Sequence, residues 1–178
     1  MLTVIVGSMM SGKSSRLISI INSHIIAGNS VIVFKPQKDT RCGNKIITHC
    51  GRDYPAHSIK NSTDALNTYV DAHDVVCFDE AQFFDNYLPY EVDNLLKCGY
   101  EVICAGLSQD SFGQPFGPMP QLLCKADKII HLTAVCVKCK SIAAATRTFR
   151  KVSAKEQVFI GGTSMYEARC FDCWKEDK

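Results

Sequence analysis

At 178 residues the chain suits one domain, with room for a small appendage at most. Apolar residues make up 46% of it, enough to build a core, and the formal net charge of +2 is spread along the chain, so no polyanion partner is implied. No apolar stretch is long enough to span a membrane, and the N-terminus lacks the basic start of a signal peptide.

Leu2-Thr3-Val4-Ile5-Val6 is short, apolar and β-branched, the pattern of a buried parallel strand. It runs into Gly7-Ser8-Met9-Met10-Ser11-Gly12-Lys13-Ser14, a GxxxxGKS sequence, and then into a stretch with apolar residues at helical spacing that stops at Gly28. Strand, Gly-rich loop and helix are the context in which this motif cradles phosphates. The glycines let the backbone aim its N–H groups at phosphate oxygens, and the positive end of the helix dipole points the same way. Lys13 is expected to reach the β- and γ-phosphates of ATP, and the Ser14 hydroxyl to bind Mg²⁺. A loop of this kind places the chain in an ATP-containing, reducing compartment, the cytoplasm, so its 10 cysteines are not expected to form a disulfide framework.

The alternation continues. Residues 30–36 (SVIVFKP) read as a strand, 37–60 as polar and irregular, 62–73 (STDALNTYVDAH) as a helix capped by Ser62, and 74–80 (DVVCFDE) as a buried strand ending in acids. Residues 86–99 read as mostly helix, 101–107 (EVICAGL) as a strand, 108–120 as a loop rich in Pro and Gly, and 125–135 as a last core strand. Strands alternating with helices predict an α/β fold with a parallel sheet, right-handed crossovers and ligands at the carboxyl ends of the strands. The boundary falls near residue 135. It gives a P-loop α/β nucleotide-binding domain over 1–135 and a small domain over 136–178, with short strands at AAATRTFR and QVFIGG.

Cys136-Val137-Lys138-Cys139 and Cys170-Phe171-Asp172-Cys173 are two CxxC knuckles about thirty residues apart, the ligand set of a closed, structural Zn²⁺ site. A redox pair is the rival reading, but a redox motif needs only one of the two. Cys42, Cys50, Cys77, Cys98, Cys104 and Cys124 share no spacing and read as small apolar fillers or free thiols.

The second chemical motif is VVCFDEAQFF, residues 75–84. Asp79 follows four buried-type residues, as does the Mg²⁺-supporting acid of P-loop enzymes. Glu80 is expected on the opposite side of the strand end, placed to act as a base. The pair alone leaves two readings open. In a kinase the base takes a proton from an acceptor hydroxyl; in a RecA-like ATPase or regulatory module it activates water. A zinc-ribbon nucleic-acid binder is a third reading. Lys138, Lys140, Arg147, Arg150 and Lys151 are basic, but Phe149 is the one aromatic near them.

In this order and spacing GSMMSGKS, DTR, DEAQFF, PFG, LTAVCVKC, FIGG and YEARCFDC resemble the type II (cytosolic-type) thymidine kinases over nearly the whole chain. The compact length is similar to that of the poxvirus and phage-like members. The resemblance implies a RecA-like P-loop domain and a small zinc-binding domain carrying a lasso loop. It implies transfer of the ATP γ-phosphate to the 5′-hydroxyl of thymidine or deoxyuridine, in nucleotide salvage. A homotetramer and feedback inhibition by thymidine triphosphate also belong to that family. Matched position by position, Glu80 takes the role of general base, Asp79 and Ser14 that of the Mg²⁺ side, and Gly7 to Ser14 that of the ATP loop. Met9, Phe83, Leu107 and Phe116 match walls of the base pocket. Thr146, Phe159, Ile160, Gly161, Gly162 and Tyr166 match the lasso, whose main chain reads the pyrimidine edge.

One segment departs from the family. Members commonly read GLDxDF before PFG, whereas this chain reads GLSQDSFGQPFG. Ser108 replaces an acid, Ser111 stands where a pocket aromatic is expected, and Phe112 comes one residue late. Either Phe112 swings into the nucleoside pocket, or the pocket is more open and tolerates bulky 5-substituents. Asp39-Thr40-Arg41 also has two readings: a solvated loop with one charge pair, or a loop that brings Arg41 near the phosphates.

Overall fold

The computed structural model describes residues 1–41, 43–48, 50–64, 72–153 and 156–177. In chain order its strands are β1 (Leu2–Gly7), β2 (Val31–Pro36), β3 (Lys45–Ile47), β4 (Asp53–Pro55), β5 (His57–Ile59), β6 (Val75–Phe78), β7 (Glu101–Gly106), β8 (Lys128–Leu132), β9 (Arg147–Arg150) and β10 (Tyr166–Arg169). The helices are α1 (Lys13–Ile26), α2 (Leu88–Lys97), α3 (Met119–Lys125) and α4 (Phe171–Lys175). Six strands form one parallel sheet in the order β5-β2-β6-β7-β1-β8.

Successive residues of a strand face opposite sides of its sheet, and here both sides are covered. Val4, Phe78, Val102 and Cys104 pack with Leu88, Val92 and Leu95 of α2 and with Met119 and Leu122 of α3. Ile5, Val33, Cys77 and Ile103 pack on the other face with Leu17, Ile18 and Ile21 of α1. Burial on both faces is why these strands read as continuous apolar runs rather than alternating ones. The smaller unit has its own core of Ala134, Cys136, Ala145, Ala168 and Cys173, with β9 and β10 paired antiparallel beside it.

Four segments differ from the sequence reading. Residues 37–60 supply the antiparallel β3–β4 hairpin and the sheet-edge strand β5. Helix α3 begins inside the stretch read as loop, because Pro118 and Pro120 sit at its cap and first turn, where proline is tolerated. Strand β8 is a sheet edge with Ile129 exposed, not a core strand. QVFIGG carries no strand; β9 pairs instead with Tyr166–Arg169. The helix read over 62–73 falls largely on residues 65–71, and Cys42 is a single position; both lie outside the described residues. Among those described, no helix is long and apolar enough to cross a membrane.

Candidate active site

Strand β7 lies between β6 and β1, so the carboxyl ends of the three strands bring Asp79, Leu107 and the Gly7–Ser14 loop to one edge of the sheet. The loop enters α1 through Gly12, whose φ of 85° suits glycine and whose missing side chain supplies no cap. The first N–H groups of the helix are therefore left for a ligand. Lys13 Nζ donates to the carbonyl oxygens of Gly7 (3.2 Å) and Ser8 (2.9 Å). Burial draws the Lys13 pKa down, with the charges of Glu80 and Asp79 acting against that shift. The smaller unit is fastened to the same loop: Ser8 Oγ donates to the Ala145 carbonyl (3.1 Å), and Met9 N–H donates to Thr148 Oγ1 (3.0 Å).

Asp79 is 6% exposed. Burial, then the charge of Glu80, pushes its carboxyl up to about 7. A buried acid so poorly compensated, lining the same cleft as Ser14, suits a divalent cation. Glu80 does not follow strand alternation, because β6 ends at Phe78 and Glu80 adopts a left-handed φ of 51°. That turn sends its carboxylate into the same cleft as Asp79 instead of away from it. Both of its oxygens are engaged: Arg41 Nη2 donates to Oε1 (2.6 Å) and Gln82 Nε2 donates to Oε2 (2.5 Å). Gln82 Oε1 in turn accepts from Leu107 N–H (2.9 Å), which ties the acid to the end of β7. Gly117 makes room for this, since a Cβ there would lie 2.2 Å from the Gln82 carbonyl oxygen.

Arg41 joins the cleft through a chain of charges. Its Nε donates to Asp39 Oδ1 (2.6 Å), and Asp39 lies 3.4 Å from Nζ of the buried Lys35. Burial would lower the Arg41 pKa, but the carboxylates of Glu80 and Asp39 raise it well above its usual value. Burial likewise opposes the Asp39 shift, yet the hydrogen bond and charge of Arg41 hold that carboxyl low. Within DTR, Asp39 is buried while Thr40 and Arg41 are exposed, and Arg41 pairs with both Asp39 and Glu80 instead of making a single charge pair.

The cleft has a volume of about 440 Å³ and extends from Lys13 and Glu80 to an apolar recess. Phe83 and Phe116 meet there edge to face at 5.5 Å, with Met9 and Leu107 beside them. Phe159, Ile160, Gly161 and Tyr166 close the other side. Gln157 Nε2 ties that segment to the loop after β7, donating to Asp110 Oδ2 (2.8 Å) and to the Pro115 carbonyl (3.2 Å). Two residues that the sequence placed in the nucleoside pocket lie outside the lining, as do Gly7, Ser8 and Ser11 of the phosphate loop. Thr146 is replaced there by Thr148, two residues on. Phe112 is 41% exposed, with its ring under the Arg150 guanidinium at 5.1 Å, so Ser111 and not Phe112 faces the cleft. Gln82, Thr148, Gln157 and the Ile46–Thr48 side of the β3–β4 hairpin were not singled out by sequence. Gln82 stands within the DEAQFF motif, which is the one signal that pointed to any of them.

The four knuckle cysteines converge as their spacing predicts. Their Sγ atoms all lie within 4.8 Å of one another, and Cys139 Sγ is 3.9 Å from Cys170 Sγ. A metal at about 2.3 Å from each of four sulfurs separates them by about 3.8 Å, so this donor set fits a tetrahedral structural metal. Several basic residues nearby are engaged within the chain: Lys138 with Glu176 and Asp177, Arg147 over the Phe171 ring, and Lys151 with the Thr163 carbonyl.

The family model for thymidine kinase matches residues 1–174. The thymidine kinase of Metamycoplasma arthritidis (strain 158L3-1) is 41% identical over 175 residues, which cover 97% of this chain and 89% of that protein.

Proposed function

The chain belongs to the thymidine kinase family, and from that membership we propose how its cleft phosphorylates thymidine from ATP in nucleotide salvage. The observation that carries the reading is one continuous cleft holding Lys13, the Asp79–Glu80 pair and an aromatic-walled recess. ATP is bound by the Gly7–Ser14 loop and the helix N-terminus behind it. The nucleoside enters the recess with its 5′-hydroxyl toward Glu80, which accepts the hydroxyl proton as the γ-phosphate is transferred. Arg41 and Gln82 fix the two oxygens of that base. Lys13 and Arg41 supply positive charge where the transferring group gathers negative charge. Ser14 and Asp79 would hold Mg²⁺, which would supply positive charge to the phosphates during transfer. An ATPase that uses water as acceptor has no need of an apolar recess, whereas a kinase must keep water out while its own acceptor reacts.

The segment closed over the recess lies between the two knuckles, so one Zn²⁺ held by Cys136, Cys139, Cys170 and Cys173 would anchor both of its ends. Chelation, or Cys173→Ser, is expected to loosen residues 136–177 before the central sheet melts, read as early loss of hydrogen-exchange protection there. Metal analysis that finds no zinc in active protein rules this out. Family membership also favours a homotetramer in the cytoplasm, inhibited by thymidine triphosphate, with the zinc-bearing unit starting near residue 136.

The reading is tested by one assay: ATP and Mg²⁺ with each natural deoxynucleoside in turn, scored for monophosphate. Thymidine and deoxyuridine share the O2, N3–H, O4 edge, while deoxycytidine presents an acceptor at N3 and a donor at N4. Main-chain groups of the lasso set for the first pattern meet two mismatches in the second. Each buried mismatch costs about 1–3 kcal/mol, so deoxycytidine is expected to be rejected by a factor on the order of 10² or more. Equal phosphorylation of deoxycytidine and thymidine overturns the assignment of the recess.

A further inference from the structure

Lys35 is 1% exposed, near the end of a strand whose Ile32, Val33 and Phe34 are buried as well. A buried ammonium is costly, and even a paired one adds little net stability, so an apolar side chain would serve the sheet at least as well. Its Nζ lies 3.4 Å from Asp39 Oδ2 and donates to the Lys45 carbonyl (3.4 Å). The backbone keeps these groups close to the acids of β6. Asp39 N–H donates to the Pro36 carbonyl (2.9 Å), and Asp79 N–H donates to the Phe34 carbonyl (2.9 Å). The other oxygen of Asp39, Oδ1, accepts from Arg41 Nε (2.6 Å) and from Arg41 N–H (3.3 Å). A guanidinium beside a carboxylate tends to fork onto both of its oxygens. Here its donors are divided: Nε serves Asp39, and Nη2 serves Glu80 Oε1 (2.6 Å).

We propose that Lys35 is a positioning residue for Glu80: by facing Asp39 Oδ2 it keeps the Arg41 guanidinium bridged to Glu80 instead of forked onto Asp39. The inference rests on the reading of Glu80 as the base. Lys35, Asp39, Arg41 and Glu80 alternate in charge along one chain of contacts, two cations against two carboxylates. Without the ammonium, both carboxylates draw on one guanidinium. Asp39 has the advantage in that competition, because it is buried and already bonded to the main chain of Arg41. The guanidinium then turns its second donor to the vacated Oδ2, and Glu80 Oε1 loses its fixed partner. Glu80 keeps its bond from Gln82, so the carboxylate stays at the cleft but is held by one oxygen instead of two. Lys35 touches neither Glu80 nor the cleft lining, and its effect is carried wholly by Asp39 and Arg41.

The test is a double-mutant cycle on thymidine phosphorylation. Lys35→Met keeps the length and apolar stem of the side chain and removes its charge. Its kcat is expected to fall about tenfold, with KM for thymidine and for ATP unchanged within about twofold. In the Asp39→Asn background the same change is expected to leave kcat within about twofold, because an amide has one acceptor oxygen and offers no fork to compete for. A wild-type kcat in folded Lys35→Met overturns the proposal, as does a loss of equal size in both backgrounds, which is the mark of a packing role independent of Asp39. Lys35→Gln is measured alongside and decides the matter if the methionine variant does not fold. It retains an N–H donor without the cation, so kcat is expected to fall in it too, and an unchanged kcat overturns the proposal. Glu80→Gln in the same assay separates the two levels of the argument. If Glu80→Gln loses turnover and Lys35→Met does not, Lys35 has been misassigned; if Glu80→Gln keeps turnover, the reading of the base fails first.

Discussion

Turnover is expected to fall by about 10²-fold or more in Glu80→Gln, while ATP still binds. The substitution keeps the shape of the side chain but removes its capacity to take a proton. It also breaks a symmetry of the site. Glu80 presents an acceptor to Arg41 and another to Gln82, and both neighbours are donors. A glutamine can satisfy only one of them and must turn its own N–H₂ toward the other. ATP affinity is expected to survive because the proposed phosphate loop, Gly7–Ser14, lies on a different strand end. Turnover of the purified variant, with ATP binding measured separately by calorimetry, checks the assignment. Near-wild-type turnover ends it.

Lys13→Ala is expected to cost a similar factor, about 10²-fold or more, for an electrostatic reason. Its ammonium stabilises the group being transferred. Without that charge Asp79, already raised by burial and by Glu80, loses an opposing influence and rises further. The nucleoside should bind almost as before, since the aromatic recess lies beyond the reach of this change. Binding of each substrate alone, followed by titration, distinguishes the outcomes. If nucleoside affinity collapses while ATP affinity holds, the two halves of the cleft have been assigned in reverse.

Both variants concern residues that were legible in the sequence, and the reason is physical. A phosphate cradle needs a strand, glycines and a helix in immediate succession, so its parts are contiguous in the chain. The central strands were legible because burial on two faces writes an unbroken apolar run. Strands β3, β4 and β5 were not, for each is three residues long, too short to show a period, and each exists through its pairing rather than its own pattern. The exchange of Thr146 for Thr148 has a similar origin. Residues two apart along an extended segment carry the same pattern in sequence, but Thr148 is buried in β9 and bonded by Met9 N–H, whereas Thr146 precedes the strand and pairs with Arg147. The direction of Glu80 was misread because alternation was carried past Phe78, where the strand had already ended. Ser111 and Phe112 turned on the packing of Arg150, contributed from about forty residues downstream, which no local pattern records.

The two hydrogen bonds that fasten the phosphate loop to the unit carrying the four-cysteine cluster, Ser8 to Ala145 and Met9 to Thr148, bear on how the two proposed substrate sites are linked. Met9 and Thr148 are both wall residues of the cleft, and Ser8 lies next to Met9 in the loop that holds ATP. In the proposed reading, a nucleoside that shifts Thr148 would move the main chain around the triphosphate, and a triphosphate that tightens the loop would move Thr148. Thermodynamic linkage then requires the influence to be reciprocal: whatever factor thymidine applies to the affinity for ATP, ATP applies to the affinity for thymidine. In the proposed reading, the bond from Met9 N–H to Thr148 Oγ1 is a direct link between the two substrate sites.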